Sequence, residues 1–338
     1  MELDIKRITI DKEKYLFKFF KKNKEIIDKN LITYFKSLVI PPAWTNVTIS
    51  SDPNVKILAV GYDDKNRRQY RYNKIYVEEQ ESKKYKKKMI DFISILPKIY
   101  NDINLLLNKR IWDRDKVIAF IIKIIDNCHL RVGNDKYALE NNSYGITTLK
   151  KSHIDINTNK ITLNFIGKKG VENNSEITNP LLIKLFKNNY KTFNQDSEDD
   201  FFLYYDNDDI FKIDSSHIND YLKQYGDFTI KDFRTYSANE MLLKYFYNMY
   251  KYNNKLSNIT QRKLKQSCNK CLDRVSTHLN NTRNICKKSY CSDYLINEYN
   301  NNPDDFIKKI KKYMNQKKEP FTGLQYALLK IFKDFKKN

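Results

Sequence analysis

Two hydrophobic periods divide this chain, and any fold it adopts has to bury both. From Ile90 to Leu107 and from Val117 to Cys128 apolar residues recur at helical spacing, which puts them on one face of a helix in each segment. The same spacing predicts helices over Asn179 to Lys187, Ser237 to Lys251 and Pro320 to Phe335, and Thr260 to Cys271 reads as a further one. Ahead of residue 80 the pattern is shorter. Val47-Thr48-Ile49 and Lys56 to Gly61 are strand-like runs separated by the turn Ser51-Asp52-Pro53-Asn54. After Asp63 to Asn66, the run Arg67 to Tyr72 alternates cations with aromatics, as a strand with one exposed face does. One β excursion interrupts the helical part: His153 to Ile156, a turn at Asn157 to Asn159, then Ile161 to Gly170.

The expected fold is α+β, with a small, mainly β N-terminal domain over 1–80 and a larger, mainly α-helical domain over 81–338 that carries a β-hairpin. A chain of 338 residues has room for two such cores. Glu78 to Lys88, polar and without apolar period, is the expected joint or an exposed helix start. Asn194 to Asp209 is expected as an acidic surface loop, and Asn297 to Asp305 as a polar linker.

Lysine and arginine number 62 against 41 aspartates and glutamates, a net charge of +21 spread along the chain. Such a field favours a polyanionic partner. The plainer alternative is a solvated lysine surface, since Lys, Asn, Ile and Tyr are the residues an AT-rich coding sequence over-uses. Five cysteines, an odd number, and an opening Met1-Glu2-Leu3-Asp4 without a basic-then-apolar segment suit a reducing, intracellular compartment. The most apolar stretch, Val117 to Ile125, is interrupted by Lys123 and is far shorter than the roughly 18 residues of a membrane span. No membrane segment is expected.

Four segments hold the residue types that phosphodiester chemistry needs. A tyrosine hydroxyl, ordinarily titrating at about 10, attacks a phosphate only where cations stabilise the charge on the phosphoryl oxygens. The guanidinium fork does this best. The leaving sugar 5′-oxygen needs a proton, which a lysine desolvated against DNA can donate. Arg131 follows an apolar helix and opens Arg131-Val132-Gly133-Asn134; Lys168 sits at the hairpin tip Gly167-Lys168-Lys169-Gly170, where glycines permit the turn. Arg234 lies in Ile230 to Tyr236, ahead of a helix over Ala238 to Tyr247, and Tyr290 follows the basic pair Lys287-Lys288. Taken singly, each has a plainer reading as a helix-end arginine, a solvated lysine or a packed tyrosine.

Together these stretches resemble the poxvirus and bacterial type IB DNA topoisomerases, over nearly the whole chain. Leu38 to Val47, with Ile40-Pro41-Pro42-Ala43-Trp44, is similar to the start of that family's amino-terminal β domain, and Gly61 to Tyr72 to its DNA-facing strand. Arg131 to Asn134 with Glu140 to Leu149 is similar to its first-arginine block. The resemblance implies the catalytic fold shared with tyrosine recombinases. It implies Tyr290 as a nucleophile that forms a 3′-phosphotyrosyl link, Arg131 and Arg234 as phosphate clamps, Lys168 as general acid and Lys231 as a supporting cation. Supercoiled duplex DNA would be relaxed by transient single-strand cleavage and religation, without ATP, metal or other cofactor.

Nine residues before Tyr290, where the poxvirus enzymes have histidine and the bacterial ones asparagine, stands Asn281, an amide that still donates a hydrogen bond. His278, three residues earlier, is the alternative, but it breaks the register set by Thr282 and Cys286. Implied DNA contacts are Arg67, Gln69, Tyr70 and Tyr72 in the N-terminal domain, and Lys136 and Tyr137 beside the first arginine. Asn134 stands where the poxvirus enzymes have lysine, so their pyrimidine-rich cleavage preference is not carried over. The implied partner is double-stranded DNA, gripped by a monomer acting as a C-shaped clamp. The expected compartment is the virion and host-cell cytoplasm for a viral chain, or the bacterial cytoplasm.

Tyrosine recombinases and integrases use the same Arg, Lys, Arg and Tyr set, but usually place histidine where this chain has Lys231. A non-catalytic DNA-binding protein is the alternative from another class. Cys268 and Cys271, with Cys286 and Cys291, offer four thiolates for zinc; Cys286 belongs to the tyrosine segment and no histidine completes a ligand pattern, so no metal is expected.

Overall fold

The computed structural model describes residues 3–11, 13–193, 200–253 and 260–337. The chain begins with β1 (Ile5–Asp11), β2 (Leu16–Lys21), β3 (Lys24–Glu25), α1 (Lys29–Ser37), β4 (Thr45–Ile49), β5 (Ile57–Tyr62) and β6 (Arg68–Tyr72). The strands form one sheet in the order β3-β2-β1-β4-β5-β6, antiparallel at every pairing. Ile5, Phe19, Val47, Ile49 and Ala59 are buried with Phe35 of α1, whose ring lies 4.9 Å from that of Phe19. The Arg7 guanidinium donates to the carbonyls of Ile40, Pro41 and Trp44 at 3.2, 3.1 and 2.7 Å, fixing the proline segment ahead of β4. The strands before α1 escaped the sequence reading because they expose Ile8, Ile10 and Leu16, so no clean alternation marks them.

α2 (Lys74–Lys83), N-capped by Asn73, runs through a π-helical turn at Lys84–Lys88 into α3 (Met89–Leu107). The polar stretch expected as a joint or an exposed helix start is thus helical. The chain divides into two compact units near this point, Met1–Lys84 and Tyr85–Asn338.

The second unit continues with α4 (Arg114–Cys128), α5 (Asp135–Asn141), β7 (Ile154–Ile156), β8 (Ile161–Gly167), β9 (Val171–Ile177), α6 (Pro180–Phe193), β10 (Leu203–Asp206), β11 (Asp209–Lys212) and α7 (Ser215–Lys223). It ends with α8 (Ile230–Asn253), α9 (Gln261–His278), α10 (Arg283–Ser289), α11 (Asp293–Asn301), α12 (Pro303–Asn315) and α13 (Gly323–Lys337). α4 is buried on nearly every side, from Lys116 to Ile122 without interruption and again at Ile124 and Ile125, as a core helix must be when apolar all round. The architecture is the expected one, a small mainly β part and a larger mainly α part with a hairpin. Among the described residues no helix is long and apolar enough to cross a membrane.

Three local expectations are corrected. β8 pairs with β7 and with β9, giving three strands in place of a single hairpin. β9 was hidden because its sequence, Val171-Glu172-Asn173-Asn174-Ser175-Glu176-Ile177, buries only Asn173 and Ile177. Of the expected acidic loop, residues 194–199 lie outside those described, but the rest is no surface loop. Phe201, Phe202 and Leu203 are buried and enter the β10–β11 hairpin, with Phe202 5.7 Å from Phe120 and Phe201 5.5 Å from Phe186. Burial of two phenyl rings outweighs the solvation of the neighbouring aspartates. Nor is Asn297 to Asp305 a linker. α11 and α12 adjoin there, with Pro303 at the first position of α12 and Tyr299 buried in a stack 4.0 Å from Phe246.

Candidate active site

Thr282 caps α10 by accepting the Ile285 N–H, and Tyr290 ends the helix with its N–H on the Cys286 carbonyl at 3.0 Å. Its own carbonyl accepts the Tyr85 hydroxyl at 2.8 Å and the Asn239 Nδ2 at 2.8 Å. The Oδ1 of Asn239 accepts the Ser292 N–H at 2.8 Å, and the Cys286 and Cys291 sulfurs lie 3.6 Å apart. The tyrosine backbone is therefore fixed from α8, from the π-helical turn and from its own helix.

Arg234 lies inside α8, which begins at Ile230 and not beyond the arginine as the sequence pattern implied. The Asp232 carboxylate closes the first turn by accepting the Thr229 N–H and Oγ1 at 2.8 and 3.1 Å, and the Lys88 ammonium pairs with it at 3.0 Å. That start rotates Arg234 inward, where it is 4% exposed. Its Nη2 donates to the Leu279 carbonyl at 3.0 Å, and its Cζ stands 5.2 Å from the Tyr290 ring centroid. Burial lowers the guanidinium pKa from its ordinary value.

Arg131 sits just past the end of α4, which closes on His129 in the left-handed region at φ 53°. The loop after it doubles back. The Ile146 and Thr147 N–H groups donate to the Arg131 and Val132 carbonyls at 3.0 and 2.7 Å, and Gly145 abuts Gly133 so closely that a Cβ on it would meet the Gly133 nitrogen at 2.4 Å. Only paired glycines allow that approach, and Gly133 itself has φ +104°. The Arg131 Nη2 donates to the Asn281 Oδ1. Asn281 lies in the turn between α9 and α10, its N–H on the Ser276 carbonyl at 3.0 Å.

Burial raises the pKa of the Tyr290 hydroxyl, while the Arg234 guanidinium, by charge and hydrogen bonding, and the Arg131 and Lys231 charges lower it. The cations win, and the phenol titrates below an ordinary tyrosine. Arg131, Arg234, Lys231, Asn281 and Tyr290 are thus brought together. Among the described residues the buried Nε of Arg234 and Nδ2 of Asn281 meet no acceptor. Lys168 stands apart at the exposed turn between β8 and β9, and among the described residues no ion pair or hydrogen bond engages its ammonium.

A family profile described as "Eukaryotic DNA topoisomerase I, catalytic core" matches residues 71–320, a span that contains every residue of this cluster. Residues 16–63 match "Bacterial DNA topoisomerase IB, N-terminal domain". The chain belongs to the type IB DNA topoisomerases. The DNA topoisomerase 1B of Acanthamoeba polyphaga mimivirus is 32% identical over 333 residues, 96% of this chain and 94% of that protein. That of vaccinia virus (strain Copenhagen) is 28% identical over 252 residues, 68% of this chain and 74% of that protein. The DNA topoisomerase 1 of rabbit fibroma virus (strain Kasza) is 25% identical over 260 residues, 76% of each. The protein is accordingly an isomerase whose substrate is DNA.

In the N-terminal unit of this topoisomerase, β6 turns Tyr70 and Tyr72 to one face, rings stacked at 5.7 Å, and Gln69 to the other. Arg68, which the sequence reading passed over, shares the tyrosine face 5.4 Å from the Tyr70 ring. Gln69 and Arg67 both donate to the Asp63 carboxylate, at 3.0 and 2.9 Å. Lys136 is exposed in α5 with Glu140 at 3.9 Å, and the Tyr137 side chain lies outside the described residues. His278 is 2.8 Å from the Tyr245 hydroxyl. Among the described residues no three His, Cys, Asp or Glu side chains gather as metal ligands.

Tyr85 and Asn239 were missed. Nothing local marks Tyr85. Asn239 did carry a signal, because Tyr236, Asn239, Leu243 and Phe246 follow the apolar spacing of α8. An amide in that row has to be bonded.

Proposed function

We propose that this topoisomerase relaxes supercoiled duplex DNA through a 3′-phosphotyrosyl intermediate on Tyr290. The Tyr290 oxygen attacks the scissile phosphorus as its proton passes to solvent water. The new O–P bond replaces the bond to the sugar 5′-oxygen, which departs as a hydroxyl carrying a proton from Lys168. Arg131, Arg234 and the Asn281 amide hold the non-bridging oxygens, with Lys231 adding positive charge. The cut strand swivels about the intact one, and attack by the 5′-hydroxyl reverses each step.

The observation that carries this reading is the setting of the Tyr290 phenol, made more acidic by Arg234 and bordered by two buried donors, Arg234 Nε and Asn281 Nδ2, without an acceptor among the described residues. A donor left that way costs about 1–3 kcal/mol, and a phosphoryl oxygen would satisfy it while matching the charge. Religation needs no ATP, because the phosphotyrosine retains the energy of the broken ester. Nor is a metal required where fixed cations stabilise the developing charge. Residues 1–80 are the DNA-clamp domain in this scheme and 81–338 the catalytic domain, and one chain suffices, working inside the infected or bacterial cell. The net charge of +21 should make binding fall steeply with salt, through counterion release.

The test is to incubate the protein with random-sequence duplex in a metal chelator and without ATP, trap with denaturant, and map the adduct. Expected are Tyr290 on a DNA 3′-phosphate, a free 5′-hydroxyl, and neither adduct nor relaxation with Tyr290→Phe. Unchanged relaxation by that variant, or an adduct on another residue, overturns the proposal.

A further inference from the structure

The Lys168 hairpin has little at its tip to set its position. Lys169 and Gly170 both take positive φ, 67° and 72°, and a Cβ on Gly170 would touch nothing within 4 Å. What fixes the tip is below it. On the β8 side, the Ile166 carbonyl accepts the Tyr144 N–H at 2.8 Å, tying the strand to the Arg131 loop. On the β9 side the tie is a pair of asparagine carboxamides. Asn280 Nδ2 donates to Asn173 Oδ1 at 2.9 Å, and Asn173 Nδ2 donates to the Val171 carbonyl at 2.9 Å.

Asn173 is 5% exposed and touches both feet of the turn, since a Cβ on Gly167 would fall 2.4 Å from its Nδ2. Asn280 has φ 48°, a left-handed conformation that asparagine tolerates. It directly precedes Asn281, whose Oδ1 accepts the Arg131 guanidinium. The carboxamide pair therefore joins the foot of the lysine turn to the turn that carries the phosphate-binding amide.

We propose that Asn173 and Asn280 are positioning residues that latch the Lys168 hairpin to the phosphate clamp and so aim the lysine at the leaving 5′-oxygen. This rests on Lys168 being the general acid. The latch acts on proton delivery and leaves the attack by Tyr290 alone, because the bond it adds ends at the hairpin, while the turn that carries Asn281 is held by its own main-chain bond to the Ser276 carbonyl at 3.0 Å.

A duplex with one cleavage site, mapped as above, is prepared with oxygen and with sulfur as the 5′-bridging atom. A thiol titrates at about 8.5, so sulfur departs as thiolate without an acid. Single-turnover cleavage is measured for Lys168→Ala, Asn173→Ala, Asn280→Gly, which retains access to positive φ, and the double variant Lys168→Ala/Asn280→Gly. Both asparagine variants are expected to slow the oxygen substrate at least about tenfold and the sulfur substrate by no more than about threefold, a part of what a general acid supplies. The double variant should match Lys168→Ala. The oxygen-to-sulfur ratio is taken within each variant, so a fraction of misfolded protein cancels. Equal slowing of both substrates by the asparagine variants, or further loss in the double variant, overturns the latch while Lys168 stands. Equal slowing of both by Lys168→Ala overturns the latch together with the role of Lys168.

Discussion

The Asn239 side chain donates to the main-chain carbonyl of Tyr290 at 2.8 Å, so a fully buried carboxamide two turns along α8 from Lys231 holds the backbone of that tyrosine. The same Nδ2 reaches the Thr235 carbonyl at 2.7 Å and the Oδ1 takes the Ser292 N–H at 2.8 Å. Asn239→Ala leaves the Ser292 donor buried without that acceptor and the Tyr290 carbonyl with the Tyr85 hydroxyl alone. A loss of about 2–3 kcal/mol is expected, read as a lower denaturant midpoint, together with slower covalent adduct formation at conditions where the variant is folded. Wild-type adduct kinetics in Asn239→Ala would show that the tyrosine needs no such support.

Gly145 takes φ −150°, extended backbone open to any residue, so its constraint is one of space. A methyl group there would lie 2.4 Å from the Gly133 nitrogen, 2.5 Å from its Cα and 2.8 Å from the Arg131 carbonyl oxygen. All three are main-chain atoms that no rotamer change can move away. Gly145→Ala should therefore push the Arg131 loop outward at a cost of about 1–3 kcal/mol, with cleavage falling more than stability does. Phosphodiester cleavage within about twofold of wild type, where overpacking is expected to be felt, would mean that the arginine does not depend on this contact.

Much of this was legible in advance where one residue's pattern sufficed. The helical period of Val117 to Cys128 marks α4, and the glycines flanking Lys168 mark a turn. What stayed hidden involves partners far apart in the chain. Asn239 meets Tyr290 across 51 residues and Asn173 meets Asn280 across 107, and no local spacing encodes either pair. Phe201 and Phe202 were obscured differently. Neighbouring aspartates lowered the apparent hydrophobicity of a segment whose two rings nevertheless reach the core. In β6, the alternation of the strand separates Gln69 from Tyr70 and Tyr72, residues that stand side by side in the sequence.

The acidity of Tyr290 can be measured directly. Burial alone would raise its pKa, and among the opposing charges Arg234 acts most strongly, then Arg131 and Lys231. Subtracting the alkaline phenolate absorbance of Tyr290→Phe from that of the wild type isolates this one group among 25 tyrosines. The difference curve is expected to rise at lower pH than an ordinary tyrosine. In the Arg234→Gln background, where burial is opposed by fewer charges, it should move to higher pH, and cleavage should gain a steeper dependence on alkaline pH. A difference curve that ignores Arg234 would disprove the electrostatic coupling.

His129 is expected to make the second unit, Tyr85–Asn338, sensitive to acid. Burial, followed by the nearby Arg234 and His278 charges, lowers its pKa from the ordinary 6.5 to about 4, and its buried Nδ1 has no hydrogen-bond partner among the described residues. Below 6.5 the unfolded chain binds a proton here that the folded chain refuses, so this contribution is complete above about 6.5 and is lost as pH falls toward about 4. With about 1.4 kcal/mol per pKa unit, the total is on the order of 3 kcal/mol. His129→Asn keeps a residue that accepts the left-handed φ of 53° and removes the titration. Denaturant midpoints followed across this range should fall more steeply for the wild type than for His129→Asn. Parallel curves for the two proteins would assign the acid sensitivity to other groups.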